Sequence, residues 1–153
     1  MSSLNIFRAT PEHLDTAAQL FDAYRVFYGQ ASEVGAARAF LAQRLTEGDS
    51  AIYLAVDAAG AGLGLVQLYP CFSSVSMGPI WILNDLYVAA GARGQRVGEA
   101  LMARAREHAV ETGAIRLELS TAHTNTTAQR LYERCGYTLD TQFRKYLLPL
   151  GTG

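Results

Sequence analysis

Residues 82–112, ILNDLYVAAGARGQRVGEALMARAREHAVET, restrict the fold of this chain more than any other stretch. Ile82, Leu83, Leu86, Tyr87 and Val88 suit a largely buried strand. Gly91 and Gly94 permit a sharp connection and close ligand approach. Val97, Leu101, Ala105 and Ala109 then recur every four residues, as on one stripe of an amphipathic helix. The helix is predicted to begin near Gly94–Gly98. Its first amides have no partner inside the helix and form an anion site suited to a phosphate or pyrophosphate. Ile115–Ser120 reads as the next strand. A strand–helix–strand crossover of this kind makes its two strands parallel.

The flanking chain fills in a mixed α/β order. Leu4–Arg8 is a first strand, and Thr10 with Pro11 opens a helix. Leu14, Ala17, Phe21, Tyr24 and Tyr28 follow at helical spacing, and Gly29 marks the stop. Ser32 is positioned to cap a second helix over Glu33–Glu47, with Val34, Ala37, Leu41 and Leu45 as its apolar stripe. Ile52–Val56 and Leu63–Tyr69 read as a hairpin. Pro70 is expected to end or bend its second strand, leaving Cys71–Pro79 as a loop before the central strand Trp81–Val88. Asn125 can cap a late helix whose inner face carries Ala128, Leu131, Tyr132 and Cys135, with Gly136 at its end. Tyr137–Leu139 and Lys145–Leu150 are predicted to close the fold as a terminal strand pair. The expectation is one domain over residues 1–153, ordered from about 4 to 150, with a frayed end at Gly151–Gly153.

Composition narrows the function. Half of the 153 residues are hydrophobic, enough for one real core. The formal charge is −1 and no basic run exists, so nothing points to nucleic acid. No apolar run reaches membrane-spanning length, and the start MSSLNIFRATPEH lacks a secretion pattern, so a cytoplasmic protein is expected. Cys71 and Cys135 are isolated and no disulfide framework is expected. His13, His108 and His123 are not spaced as a metal set, and His108 is expected to face solvent.

The loop Arg93-Gly94-Gln95-Arg96-Val97-Gly98 is the strongest chemical signal. It lacks the Lys-Ser or Lys-Thr of a Walker loop and is a poor dinucleotide fingerprint. Arg93 or Arg96 could meet a phosphate with paired hydrogen bonds. With these residues the chain resembles the GNAT superfamily of acetyl-coenzyme A-dependent N-acetyltransferases. That family's signature runs from Gln or Arg through two residues to Gly, then one residue to Gly or Ala. Arg93 and Gly98 match its ends and Gly94 a common extra glycine, while Arg96 stands where the middle glycine is usual. Asn125, Ala128, Leu131-Tyr132-Glu133 and Gly136-Tyr137 resemble the family's late motif. The order of elements matches over about Asn5–Leu150.

The resemblance implies a twisted central sheet flanked by helices, with acetyl-coenzyme A between splayed parallel strands. Pantetheine would pair with the backbone at Leu86, Tyr87 and Val88. The pyrophosphate would sit on amides of Gln95–Gly98. Tyr132 would lie near the thioester sulfur and donate a proton to the departing thiolate. Asn125 would bond near the pantetheine, although capping alone also explains it. The family also often forms homodimers, which cover exposed strand edges.

The acceptor is an amine, which attacks only after losing a proton. Asp85 is the first candidate base, with Glu33 and Glu118 behind it; a structural carboxylate is the alternative reading. Simple alternation places Leu83, Asp85 and Tyr87 on one side of the strand, and Asn84, Leu86 and Val88 on the other. Tyr24, Tyr28 and Tyr69 either pack in the core or, with Asn84 and Asp85, surround a small cationic amine. A short chain of low basic content favours a small primary amine over a protein or peptide lysine; amino acids, polyamines and amine-bearing antibiotics stay open. Two other classes compete: a non-catalytic acyl-coenzyme A-binding module and a nucleotide-phosphate binder.

Overall fold

The computed structural model describes residues 4–151. The expected frayed end lies outside this range apart from Gly151. Five strands form one sheet in chain order: β1 (Asn5–Arg8), β2 (Ala51–Val56), β3 (Gly62–Ser73), β4 (Gly78–Val88) and β5 (Leu117–Glu118). The first four are antiparallel neighbours, and β4 and β5 are parallel, as the crossover predicts. Helices α1 (Leu14–Phe27) and α2 (Val34–Glu47) cover one face, and α3 (Val97–Glu111) and α4 (Thr126–Arg134) the other. The architecture is the expected mixed sheet flanked by helices.

Strand alternation assigns each side chain to a face. In β2 every residue is buried: Ile52 and Leu54 pack under α1 and α2, while Tyr53 packs under α3. Leu101 of α3 is fully buried against this second face. Truncating such a side chain to alanine costs about 2–5 kcal/mol. Gly64 lets α3 approach: a Cβ there would stand 2.8 Å from the Tyr87 carbonyl and 2.9 Å from Leu101.

Several expectations are corrected. Cys71–Pro79 is the end of a hairpin, because β3 continues to Ser73 and Pro70 pairs with Trp81. Strand β2 ends at Ala51 opposite Leu68, so no strand needs an N–H from Pro70 on that side. Ser32 does not cap α2. Its hydroxyl donates to Asp22 Oδ2 at 2.6 Å, and the Glu33 N–H donates to Asp22 Oδ1 at 2.7 Å. A buried carboxylate of α1 thus organises the turn into α2. His108 is 3% exposed rather than facing solvent. It lies three residues beyond Ala105 on the buried stripe of α3 and meets the Tyr53 hydroxyl at 2.8 Å. Residues 137–150 form no strand, so the predicted terminal pair is absent from the described chain.

Candidate active site

Two devices open the sheet around β4. The β3–β4 register passes from Gln67 opposite Asp85 to Leu68 opposite Leu83, leaving Asn84 unopposed as a bulge. Strand β5 pairs with β4 at Trp81 and Ile82, so, among the described residues, 83–88 have no strand on that side. The bulge also corrects the simple alternation. Leu83, Leu86 and Val88 all pack on the α3 face, whereas Tyr87 packs with α1. An extra residue at Asn84 shifts the phase of the strand between Leu83 and Asp85.

Asp85 is 4% exposed. Gln67 Nε2 donates to its Oδ2 at 2.7 Å and Asn84 Nδ2 to its Oδ1 at 3.1 Å. Behind them, Ser50 donates to Gln67 Oε1 at 2.9 Å. Burial pushes the Asp85 carboxyl above the usual carboxylate range, and the Gln67 amide, the nearby Tyr24 hydroxyl and the Asn84 amide pull against that shift. Among the described residues Asp85 forms no ion pair. It is a buried carboxylate with neutral partners only. Glu33 and Glu118 are engaged instead by Arg25 and Arg116.

Aromatic rings surround this carboxylate. The Tyr24 hydroxyl donates to the Asn84 carbonyl at 3.4 Å, and burial together with nearby Asp85 raises its pKa. Burial pushes the Tyr69 phenol up to about 12, and Asp85 adds to the shift. Tyr24 packs edge-on to Tyr28 at 5.0 Å between ring centres and to Tyr87 at 6.4 Å. Tyr28 also borders a second feature, a cavity of about 300 Å³ lined by Phe27, Tyr28, Ala122, Thr124 and Asn125. Tyr132, half-buried on α4, feels the same neighbour: burial, with Tyr28 beside it, pushes its phenol up to about 12. It therefore stays protonated at neutral pH. The structure thus gathers Tyr24, Tyr28, Tyr69, Asn84 and Asp85 on one side, with Tyr132 and Asn125 across Tyr28.

Asn125 caps α4, its Oδ1 accepting the Ala128 N–H at 3.2 Å. The phosphate-type loop has the backbone that its glycines predict. Gly94 has φ +82°, and Arg96 has φ +62°, a left-handed conformation that favours glycine. This explains why glycine suits that position and why arginine there is strained. The first helical bond of α3 runs from Ala100 N–H to Arg96 O, so the amides of Val97, Gly98 and Glu99 have no helical partner. A Cβ on Gly98 would lie 3.2 Å from Leu131, so this glycine also lets α4 close on α3. Arg93 folds back: its Nε donates to Val88 O at 3.2 Å and its guanidinium lies over Phe27 and Tyr87. The Arg96 side chain is exposed and pairs with Glu99 at 3.5 Å. Gln95 Nε2 donates to Gly91 O at 3.4 Å.

Sequence reasoning gave no role to Gln67 or Ser50. The available signal was a polar residue inside the apolar strand Leu65-Val66-Gln67-Leu68. Their link to Asp85 depends on strand register, which composition does not carry. Among the described residues no cluster suits a metal, and no helix is long and apolar enough to cross a membrane.

Comparison with known proteins agrees with this geometry. The acetyltransferase (GNAT) family model matches residues 17–137. An uncharacterized N-acetyltransferase of Bacillus subtilis (strain 168), YhfO, is 45% identical over 145 residues, covering 95% of this chain and 97% of that protein. A probable acetyltransferase of Haemophilus influenzae is 29% identical over 147 residues, covering 96% and 99%. The crystal structure of a probable acetyltransferase superposes with a TM-score of 0.91 at 46% identity, covering 97% of this chain and 99% of that one. The bulged, half-unpaired β4, the open amides of α3 and these relatives converge: the chain belongs to the GNAT family and is an acetyl-coenzyme A-dependent N-acetyltransferase.

Proposed function

We propose that this enzyme transfers acetyl directly from acetyl-coenzyme A to a small primary amine carrying positive charge. The observation that carries the reading is Asp85, a buried carboxylate with neutral donors and no protein cation beside it. An ammonium supplies the missing charge, and Tyr24, Tyr28 and Tyr69 offer ring faces to it. Asn84 shapes the same wall with its exposed side chain.

The residues fit the thioester substrate. Leu86, Tyr87 and Val88 pair with β3 on one side, and on the side that β5 does not reach their backbone offers hydrogen bonds to an extended pantetheine, with Val88 O engaged by Arg93 Nε. The free amides at Val97 and Gly98, reached through Gly94, Gln95 and Arg96, suit the pyrophosphate, with the exposed side chains of Arg93 and Arg96 beside them. Asn125 holds the start of α4 and so the placement of Tyr132. Asp85 takes a proton from the ammonium, directly or through a water. The neutral nitrogen attacks the acetyl carbon, and the carbon–sulfur bond breaks. Tyr132 protonates the leaving sulfur, and the second amine proton restores Tyr132. Two free cysteines suit a reducing compartment, and a cytoplasmic location completes the proposal.

The test is a thiol-release screen with polyamines, amino acids, alkyl and aryl amines, aminoglycosides and lysine peptides, each product confirmed by mass. Acetylation of small cationic amines is expected. Preference for acidic or neutral amino acids would remove the cation role from Asp85, and preference for lysine peptides would move the substrate to protein.

A further inference from the structure

The wall around Asp85 continues to a second charged station. Gln67 and Tyr69 fall on one face of β3, two residues apart. Gln67 links Asp85 on β4 to Ser50, just before β2. The Tyr69 phenol feels the charge of Asp85 and also the opposite charges of Arg44 and Asp49, so it lies within reach of both stations. Arg44 comes from the last turn of α2. Gly48 then takes a left-handed φ of +65° and turns the chain back, which brings Asp49 beside Arg44. The guanidinium lies over the Phe40 ring at 5.0 Å, and its Nε is 3.2 Å from Asp49 Oδ1. The Arg44 side chain is 19% exposed and that of Asp49 45%. The Arg44 Nε is buried and yet makes no hydrogen bond. A buried donor left without a bond is costly, so this pair is held by charge with hydrogen-bonding capacity in reserve.

The pair presents a positive and a negative charge side by side. The head group of a free amino acid carries the complementary pair, an α-carboxylate and an α-ammonium. Strands β2 and β4 flank β3, two strand spacings or about 10 Å apart. A ligand that meets both stations therefore holds its head group and its reacting amine at opposite ends of a chain. We propose that the acceptor is a free diamino acid acetylated on its side-chain amine: Arg44 binds the α-carboxylate, Asp49 the α-ammonium, and Tyr69 lies along the methylene chain that carries the ω-amine to Asp85. The inference rests on the reading of Asp85 as the group that receives the acceptor ammonium. Arginine suits the carboxylate because it offers parallel N–H donors. A plain diamine lacks the carboxylate, and a lysine within a peptide has both α groups tied up in amide bonds. In the transfer the ω-nitrogen gains the acetyl carbon, coenzyme A leaves as the thiol, and the remaining proton departs through Asp85.

The wild-type enzyme tests this with acetyl-coenzyme A and three kinds of acceptor. These are free lysine and ornithine, the diamines cadaverine and putrescine that lack their carboxylates, and lysine blocked as an amide at both α groups. The kcat/KM should be higher for each diamino acid than for its diamine or blocked form by about tenfold or more. Mass fragmentation should place the acetyl group on the ω-nitrogen. Diamines or blocked lysine used as well as the diamino acids, or acetylation on the α-nitrogen, overturns the proposal. Preference for diamines leaves the cationic-amine reading of Asp85 standing, whereas acetylation of uncharged amines alone overturns that reading as well. Arg44→Gln should lower the ornithine-to-putrescine ratio of kcat/KM by about tenfold or more. Asp49→Asn should lower the preference for lysine over its analogue without the α-amine. Ratios taken within one variant cancel a general loss of active protein, and ratios unchanged in both variants overturn the assignment of the head group to this pair.

Discussion

Two carboxylates lie buried on the α1 side of the sheet, and the protein treats them in opposite ways. Asp22, 6% exposed, accepts from the Ser32 hydroxyl and the Glu33 amide, and these bonds hold its carboxyl below the usual range. Asp85, 4% exposed, also accepts two hydrogen bonds, yet burial pushes its carboxyl above that range. A backbone amide at a helix start and a nearby Arg25 favour charge at Asp22, whereas Asp85 meets side-chain donors in the sheet interior. The first carboxylate is satisfied by its own fold. The second lacks a cation, which under the proposed function a cationic substrate supplies. Burial alone therefore does not distinguish these two carboxylates; the identity of their partners does.

The comparison is broken most severely at Asp85. Asp85→Asn keeps the shape and removes the charge, and turnover should fall by about 100-fold or more while acetyl-coenzyme A affinity changes little. Steady-state kinetics and calorimetry read the two effects, and retained turnover would make Asp85 a second Asp22. Next is Tyr132→Phe, which keeps the ring and loses the donor. Acetyl transfer in a single turnover should slow by about 10-fold, and an unchanged rate would return Tyr132 to packing. Gln67→Leu sharpens the comparison by removing a donor to the charged form of Asp85. Its carboxyl should rise further, so the ascending limb of the pH–rate profile should move to higher pH. A limb that stays in place would detach the Ser50–Gln67 chain from catalysis. The smallest effect on activity is expected at Asp22→Asn, which should leave turnover near wild type and lower the melting midpoint at neutral pH. Because the folded Asp22 pKa is lowered, its stabilisation is present above the ordinary carboxylate value and is lost as pH falls through the folded value. The gap in midpoint between wild type and variant should therefore shrink in acid.

The sequence made the frame of this site legible through short-range signals. The four-residue apolar spacing of α3, the glycines before it and the strand on either side are local patterns, and they determine the parallel β4–β5 pair. Asn125 as a cap and Gly136 as a stop are equally local. What stayed hidden depends on partners far along the chain. The Asn84 bulge exists only relative to β3, so simple alternation groups Leu83 with Asp85 and Tyr87 instead of with Leu86 and Val88. Gln67 reaches Asp85 across eighteen positions, and Asp22 reaches Ser32 across ten. Pro70 read as a strand end because its neighbourhood at the margin of β2 was not visible. His108 was legible in principle, since the stripe through Leu101 and Ala105 continues to it. The polarity of histidine outweighed the spacing.

The most direct test of the account is the ionisation of Asp85 itself. Side-chain carboxyl resonances of 13C-labelled protein, assigned with Asp85→Asn and Asp22→Asn, give both titrations in one sample. Asp85 is expected to titrate above the ordinary carboxylate value of about 4 and Asp22 below it. Adding a cationic acceptor amine should lower the Asp85 value and leave Asp22 where it was. An Asp85 titration at or below the ordinary value, unmoved by any amine that the enzyme acetylates, would contradict the central claim.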